Sequence, residues 1–119
     1  MTTQEIAQRL VAHCRKAAWT AAQTELYAED AVSLEPVETP MFPRETRGLK
    51  AIIEKGRTFD GMVETMHGIT VSDPIVATGS FACTMAMDVT MKGQGRMNMA
   101  ELCVYEVRDG RIVLEQFHL

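Results

Sequence analysis

This 119-residue sequence has no basic patch, no apolar run of membrane-spanning length and no matched set of cysteines, and each absence removes a class of function. Twelve Lys and Arg are interspersed with sixteen Asp and Glu for a net charge of −4, so a phosphate backbone finds no cationic footprint and no nucleic acid partner is expected. No membrane partner is expected either. The start, Met1-Thr2-Thr3-Gln4-Glu5, lacks the basic segment and apolar stretch of a signal peptide, which predicts a cytoplasmic location. Cys14, Cys83 and Cys103 are odd in number and far apart, unlike a disulfide framework or a zinc site, and read as reduced thiols. With no H-E-x-x-H or comparable spacing, no metal and no cofactor are expected. Nine methionines fit adaptable core filling better than Cu(I) handling, and would suit a pocket for a flat or flexible apolar molecule.

What is present reads as one domain, 1–119. Thr2 and Glu5 have capping-box spacing, and Ile6, Leu10, His13 and Ala17 share a stripe, which predicts a helix over 3–16. Trp19, Ala22, Gln23 and Leu26 predict a second over 19–28, followed by a short strand over 31–35 that stops at Pro36. Between Pro36 and Glu45, Pro40 and Pro43 stiffen a loop that also carries Met41 and Phe42, a candidate lid. A third helix starts near Thr46 with Leu49, Ile52, Ile53 and Gly56 inward. Beyond Asp60-Gly61 the period changes to two, with strands over 62–72, 75–78, 81–91, 96–107 and 111–118. The expected fold class is α+β, an antiparallel sheet curling around the helices to enclose one pocket.

Asp109-Gly110 suits a two-residue type I′ turn, and register follows from it: Arg108 faces Arg111, Tyr105 Leu114, Cys103 Gln116 and Glu101 His118. This polar row, on a face with Val107 and Ile112, predicts the wall of a half-polar cavity. Glu101 lies inside an apolar alternation, where an acid should be paired or functional, and with His118 it would form a proton-handling carboxylate–imidazole pair. Glu35 closes a strand beside the expected pocket, where burial would raise its pKa toward a useful value. Asp88 turns inward through a two-residue loop at Gly93-Gln94 and outward through a three-residue one, and His67 shares a strand face with Ile69 and Val71; both orientations stay open. Trp19, Tyr27, Phe42, Met99, Cys103 and Gln116 complete the candidate lining.

Leu26-Tyr27-Ala28-Glu29-Asp30-Ala31-Val32-Ser33-Leu34-Glu35-Pro36, then Arg47-Gly48-Leu49-Lys50-Ala51-Ile52, then Val104 to Val113 around Asp109-Gly110, resemble the SnoaL-like family of the nuclear transport factor 2-like superfamily. The resemblance implies a cone-shaped curved antiparallel sheet on three N-terminal helices, a deep pocket and a homodimer joined through the outer sheet face. It places Glu35 at the position of the ketosteroid isomerase base, Val11 at that of its oxyanion tyrosine, and Cys103 where that enzyme and SnoaL-type cyclases carry a carboxylic acid.

Three functions remain in view: a general acid/base isomerase, cyclase, lyase or hydrolase acting on a small apolar molecule with Glu35, Glu101 and His118; a non-catalytic ligand carrier; and a dimerisation module.

Overall fold

The computed structural model describes residues 1–119. Its elements are α1 (Thr3–Cys14), α2 (Trp19–Leu26), β1 (Tyr27–Leu34), β2 (Glu45–Arg47), α3 (Leu49–Met62), β3 (Val63–Val71), β4 (Ile75–Val76), β5 (Ser80–Met91), β6 (Gly95–Arg108) and β7 (Arg111–His118). No helix is long and apolar enough to cross a membrane.

At the start of α1 the expected capping box forms, with Glu5 N donating to Thr2 Oγ1 at 3.1 Å and Thr2 N donating to Glu5 Oε1 at 2.9 Å. Its apolar stripe, Ile6, Ala7, Leu10, Val11 and Cys14, is fully buried. The helix ends in a Schellman motif: Ala18 N reaches His13 O and Ala17 N reaches Cys14 O, both at 3.0 Å. Ala17 sits there at φ 53°, a left-handed position that glycine normally fills. Ala17→Gly is therefore expected to stabilise the protein by about 1 kcal/mol, read as a thermal midpoint higher by about 4 °C. An unchanged or lower midpoint would count against this account of the helix end.

The sheet order is β2-β1-β7-β6-β5-β3, with β4 beside β5. Two features depart from the sequence expectation. The sheet is mixed, because β7 returns parallel to β1, with Ser33 opposite Glu115. A three-residue strand, β2, occupies 45–47 where helix was expected from Thr46; α3 waits for Gly48, whose φ of 92° turns the chain into it. The curved sheet does not close, since β2 and β3 form its two edges.

Side-chain alternation decides what each face carries. On β5, Phe81, Cys83, Met85, Met87, Val89 and Met91 point to the helices, and opposite them on β6 lie Tyr105, Cys103, Glu101, Met99 and Met97. Phe81 and Tyr105 stack with ring centroids 4.8 Å apart. The β5–β6 connection spans three residues, Lys92 to Gln94, between paired Met91 and Gly95. That length puts Asp88 opposite Asn98 on the outer face, where it binds Arg96 at 2.8 Å.

The Asp109-Gly110 turn forms as expected, with φ of 53° and 75° and Arg108 opposite Arg111. Val107 pairs Ile112, yet Glu106 pairs Leu114, leaving Val113 as an extra residue in β7. This bulge shifts every later pair by one: Tyr105 meets Glu115, Cys103 meets Phe117 and Leu102 meets His118. The expected Glu101–His118 and Cys103–Gln116 pairs do not form. His118 is exposed at the strand end and Gln116 lies opposite Val104, while Glu115 moves to the inner face.

Candidate functional site

Between the helices and the inner sheet face lies a cavity of about 310 Å³, near the lower end of the usual range for small-molecule sites. Its wall is mostly apolar. Trp19, Phe59, Met85, Met87, Met99 and Phe117 border it, and Pro36, Val37, Thr39 and Phe42 from the proline-stiffened loop form part of its rim. Of the sequence-derived candidates, Glu35, Glu101, Trp19, Tyr27, Phe42 and Met99 line this cavity. Cys103 faces inward but is packed in the core against Cys83, and the hydrogen bond with Cys83, then burial, raise its thiol pKa.

The remaining candidates lie elsewhere. Asp88 is held outside by Arg96, and His67 is exposed, with its Nε2 2.7 Å from Thr90 Oγ1. A register shift between Met66 and Gly68 in β3 breaks the alternation that would have grouped His67 with Ile69. His118 and Gln116 are displaced by the β7 bulge, as described above.

What the bulge brings in is Glu115, only 3 % exposed. The Tyr27 hydroxyl donates to its Oε1, and Ser33 Oγ donates to its Oε2 at 2.6 Å. Burial raises the Glu115 pKa, while these two hydrogen bonds oppose the shift. The network continues outward through Lys55 on α3, whose Nζ donates to Ser33 Oγ at 2.5 Å and to Glu35 Oε1 at 2.9 Å. The Lys55–Glu35 pair is mostly shielded from solvent, and the ammonium also stands 5.7 Å from the Phe117 ring centroid.

Glu101 differs from these carboxylates because no side chain or backbone group hydrogen-bonds to it. Burial, then the charges of Glu35 and Glu115, push its pKa up to about 7, with the Lys55 charge opposing. The cavity therefore holds a carboxyl with a raised pKa and no partner in the protein, beside two carboxyl groups that are hydrogen-bonded within it.

Three polar residues of the site escaped the sequence reading. Glu115 was hidden by the continuous apolar run Ile112-Val113-Leu114, which conceals a change of parity. Lys55 lies three residues from buried Ile52 and so on its helical stripe, a signal that could have found it. Gln23 belonged to the inward stripe of α2 but was not assigned to the site; it lines the cavity and its Oε1 has no partner.

The family model described as "SnoaL-like domain" matches residues 1–119. A protein from Mesorhizobium loti named as a candidate SnoaL-like polyketide cyclase superposes with a TM-score of 0.91 at 32% identity, over 100% of both chains. A Xanthomonas campestris protein of cystatin-like fold gives 0.81 at 17% identity, over 98% of this chain and 89% of its own. A Catenulispora acidiphila protein with a ketosteroid isomerase-like fold, solved with trimethylamine, gives 0.75 at 18% identity over 99% and 87%. These likenesses place the α+β architecture among nuclear transport factor 2-like folds. No curated protein matches the sequence.

Proposed function

The chain belongs to the SnoaL-like family, and we propose that it is a cofactor-independent enzyme using general acid/base chemistry on a small apolar metabolite, as an isomerase, cyclase, lyase or hydrolase. One observation carries this reading: Glu101 is an unpartnered carboxyl in an apolar cavity with a pKa raised to about 7. Proton transfer works best when the group's pKa lies near the operating pH. Glu101 takes the proton from a carbon or hydroxyl of the substrate and returns it, and Lys55 supplies the positive charge on the same wall. Glu35, paired with Lys55, supports that wall and helps to raise the Glu101 pKa.

The suitable probe is 5-nitrobenzisoxazole, whose carbon-bound proton passes to a base as its N–O bond breaks to give a coloured cyanophenolate. The expected result is turnover above that of an equal concentration of acetate, rising with pH through an inflection near about 7. In Glu35→Gln the loss of a neighbouring negative charge should move that inflection to lower pH. A rate no better than acetate, or a profile with no inflection between about pH 6 and 8, would refute the proposal.

Ligand carriage without catalysis is the second reading, favoured by Val11 and Cys103. Where the resemblance puts hydrogen-bond donors, these two are 2% and 1% exposed in the apolar core. Saturable binding of the probe with no turnover would select it.

We further propose a homodimer through the outer sheet face, where Leu102 is 41% exposed beside half-buried Val104 and Leu114. Light scattering should give the mass of two chains at micromolar concentration; the mass of one would contradict it.

A further inference from the structure

We infer that Gln23 is a specificity-determining residue of the cavity, and that the ligand is an apolar molecule bearing a hydroxyl group. The inference rests on the cavity being a small-molecule site. Gln23 projects from α2 on the helical wall, across from the β6 wall that carries Glu101. It is 8% exposed and its Oε1 is fully buried with no hydrogen-bond partner. Buried side-chain amides almost always find partners, so an unanswered one on a cavity wall is either a defect or a group reserved for something that enters.

The surroundings offer no internal partner. Across from the amide, α3 presents Gly56, where even an added Cβ would stop 3.9 Å from Oε1 and 4.0 Å from Nε2. Having no side chain, Gly56 supplies the amide with no donor or acceptor from that position. By contrast, three other polar groups of the cavity wall are committed within the protein. Lys55 is bound to Ser33 and Glu35, Tyr27 to Glu115, and the Trp19 indole N–H to Asp60 Oδ1 at 3.1 Å.

A carboxamide turns about its last torsion at little cost, so either its oxygen or its NH2 can face the cavity. A ligand hydroxyl, donor and acceptor at once, answers both orientations, whereas a methyl in its place answers neither. The apolar remainder of the ligand packs on the methionine and aromatic wall. Discrimination of this kind is strong because the poorer ligand leaves the buried amide unsatisfied.

The test compares 2-naphthol with 2-methylnaphthalene, which differ by hydroxyl against methyl, titrated into the full chain and followed by the indole N–H resonance of Trp19, the only tryptophan. The parent should bind 2-naphthol about tenfold more tightly. In Gln23→Met that preference should fall to about twofold or less, with the thermal midpoint unchanged or higher, since an unpaired buried polar group is removed. Gln23→Asn, which keeps the amide but withdraws it, should fall between them and serves if the methionine variant does not fold. Equal binding of the two probes by the parent, an intact preference in both variants, or a midpoint lowered by about 5 °C or more in Gln23→Met would overturn the inference. Because binding is read without turnover, this result is independent of whether Glu101 transfers protons.

Discussion

Glu101→Gln is expected to lower turnover of 5-nitrobenzisoxazole by about 100-fold or more, and at the same time to make the protein more stable above neutral pH. The two effects share one cause. In the unfolded chain this carboxyl titrates near its ordinary value of 4.5, and in the cavity near about 7. A raised folded-state pKa means that the native state binds the extra proton, so the associated stability is full below about pH 4.5 and is lost as pH rises toward about 7. At about 1.36 kcal/mol per pKa unit the loss amounts to at most about 3.4 kcal/mol, and partial solvation brings it toward about 1–3. Glutamine has no charge to bury. Its variant should therefore gain about 4–10 °C in thermal midpoint at about pH 8 and nothing below about pH 4.5. A structural carboxyl would show the opposite pattern, with stability lost and turnover barely changed.

Glu115→Ala should be among the most damaging substitutions in the chain, at about 3–5 kcal/mol in urea unfolding. The Tyr27 hydroxyl would lose its acceptor inside the core, as would Ser33, which is 0% exposed. Each unsatisfied hydroxyl costs about 1–3 kcal/mol, and the vacated volume adds to that. Lys55 would retain Glu35 and the Ser33 oxygen but lose the nearby charge that helps to hold it between α3 and the sheet. Glu115→Gln preserves the volume and one acceptor oxygen, and should cost less than half as much. A loss below about 1 kcal/mol for the alanine variant would show that the network is not a structural element.

The fold was legible wherever a local rule decides the outcome. Thr2 and Glu5 announce the first helix, Asp109-Gly110 sets its turn, and the alternation of Phe81 to Met91 gives the strand and its inner face. The parallel return of β7 beside β1 was not legible, since nothing local distinguishes a parallel neighbour from an antiparallel one at a short strand. Nor was the bulge at Val113. A single extra residue is set by how β7 fits between β6 and β1, and the run Ile112-Val113-Leu114 reads equally well in either parity.

The candidate site inherits that difference. Glu35 and Glu101 could be found because each is an acid at a position where the pattern calls for an apolar residue or a strand end. His118 and Gln116 were placed by a register that holds only up to Val107, and the same one-residue shift that removes them delivers Glu115. Asp88 turned on the length of one loop, which the sequence left at two or three residues and the structure sets at three. Lys55 looked like an ordinary helix-surface residue, and Gln23 read as part of the inward stripe of α2 with no role in the site. Only the approach of α2 and α3 across the cavity makes them part of its wall.

The central claim is that Glu101 exchanges its proton near neutral pH, and carbon-13 NMR can measure this directly from the glutamate side-chain carboxyl resonances across a pH series, with Glu101→Gln to assign the signal. The account predicts one carboxyl titrating near about 7 that is absent from the variant, and that moves to lower pH in Glu35→Gln. A Glu101 carboxyl titrating near 4.5, its ordinary value, would contradict it and leave the cavity without a general acid or base.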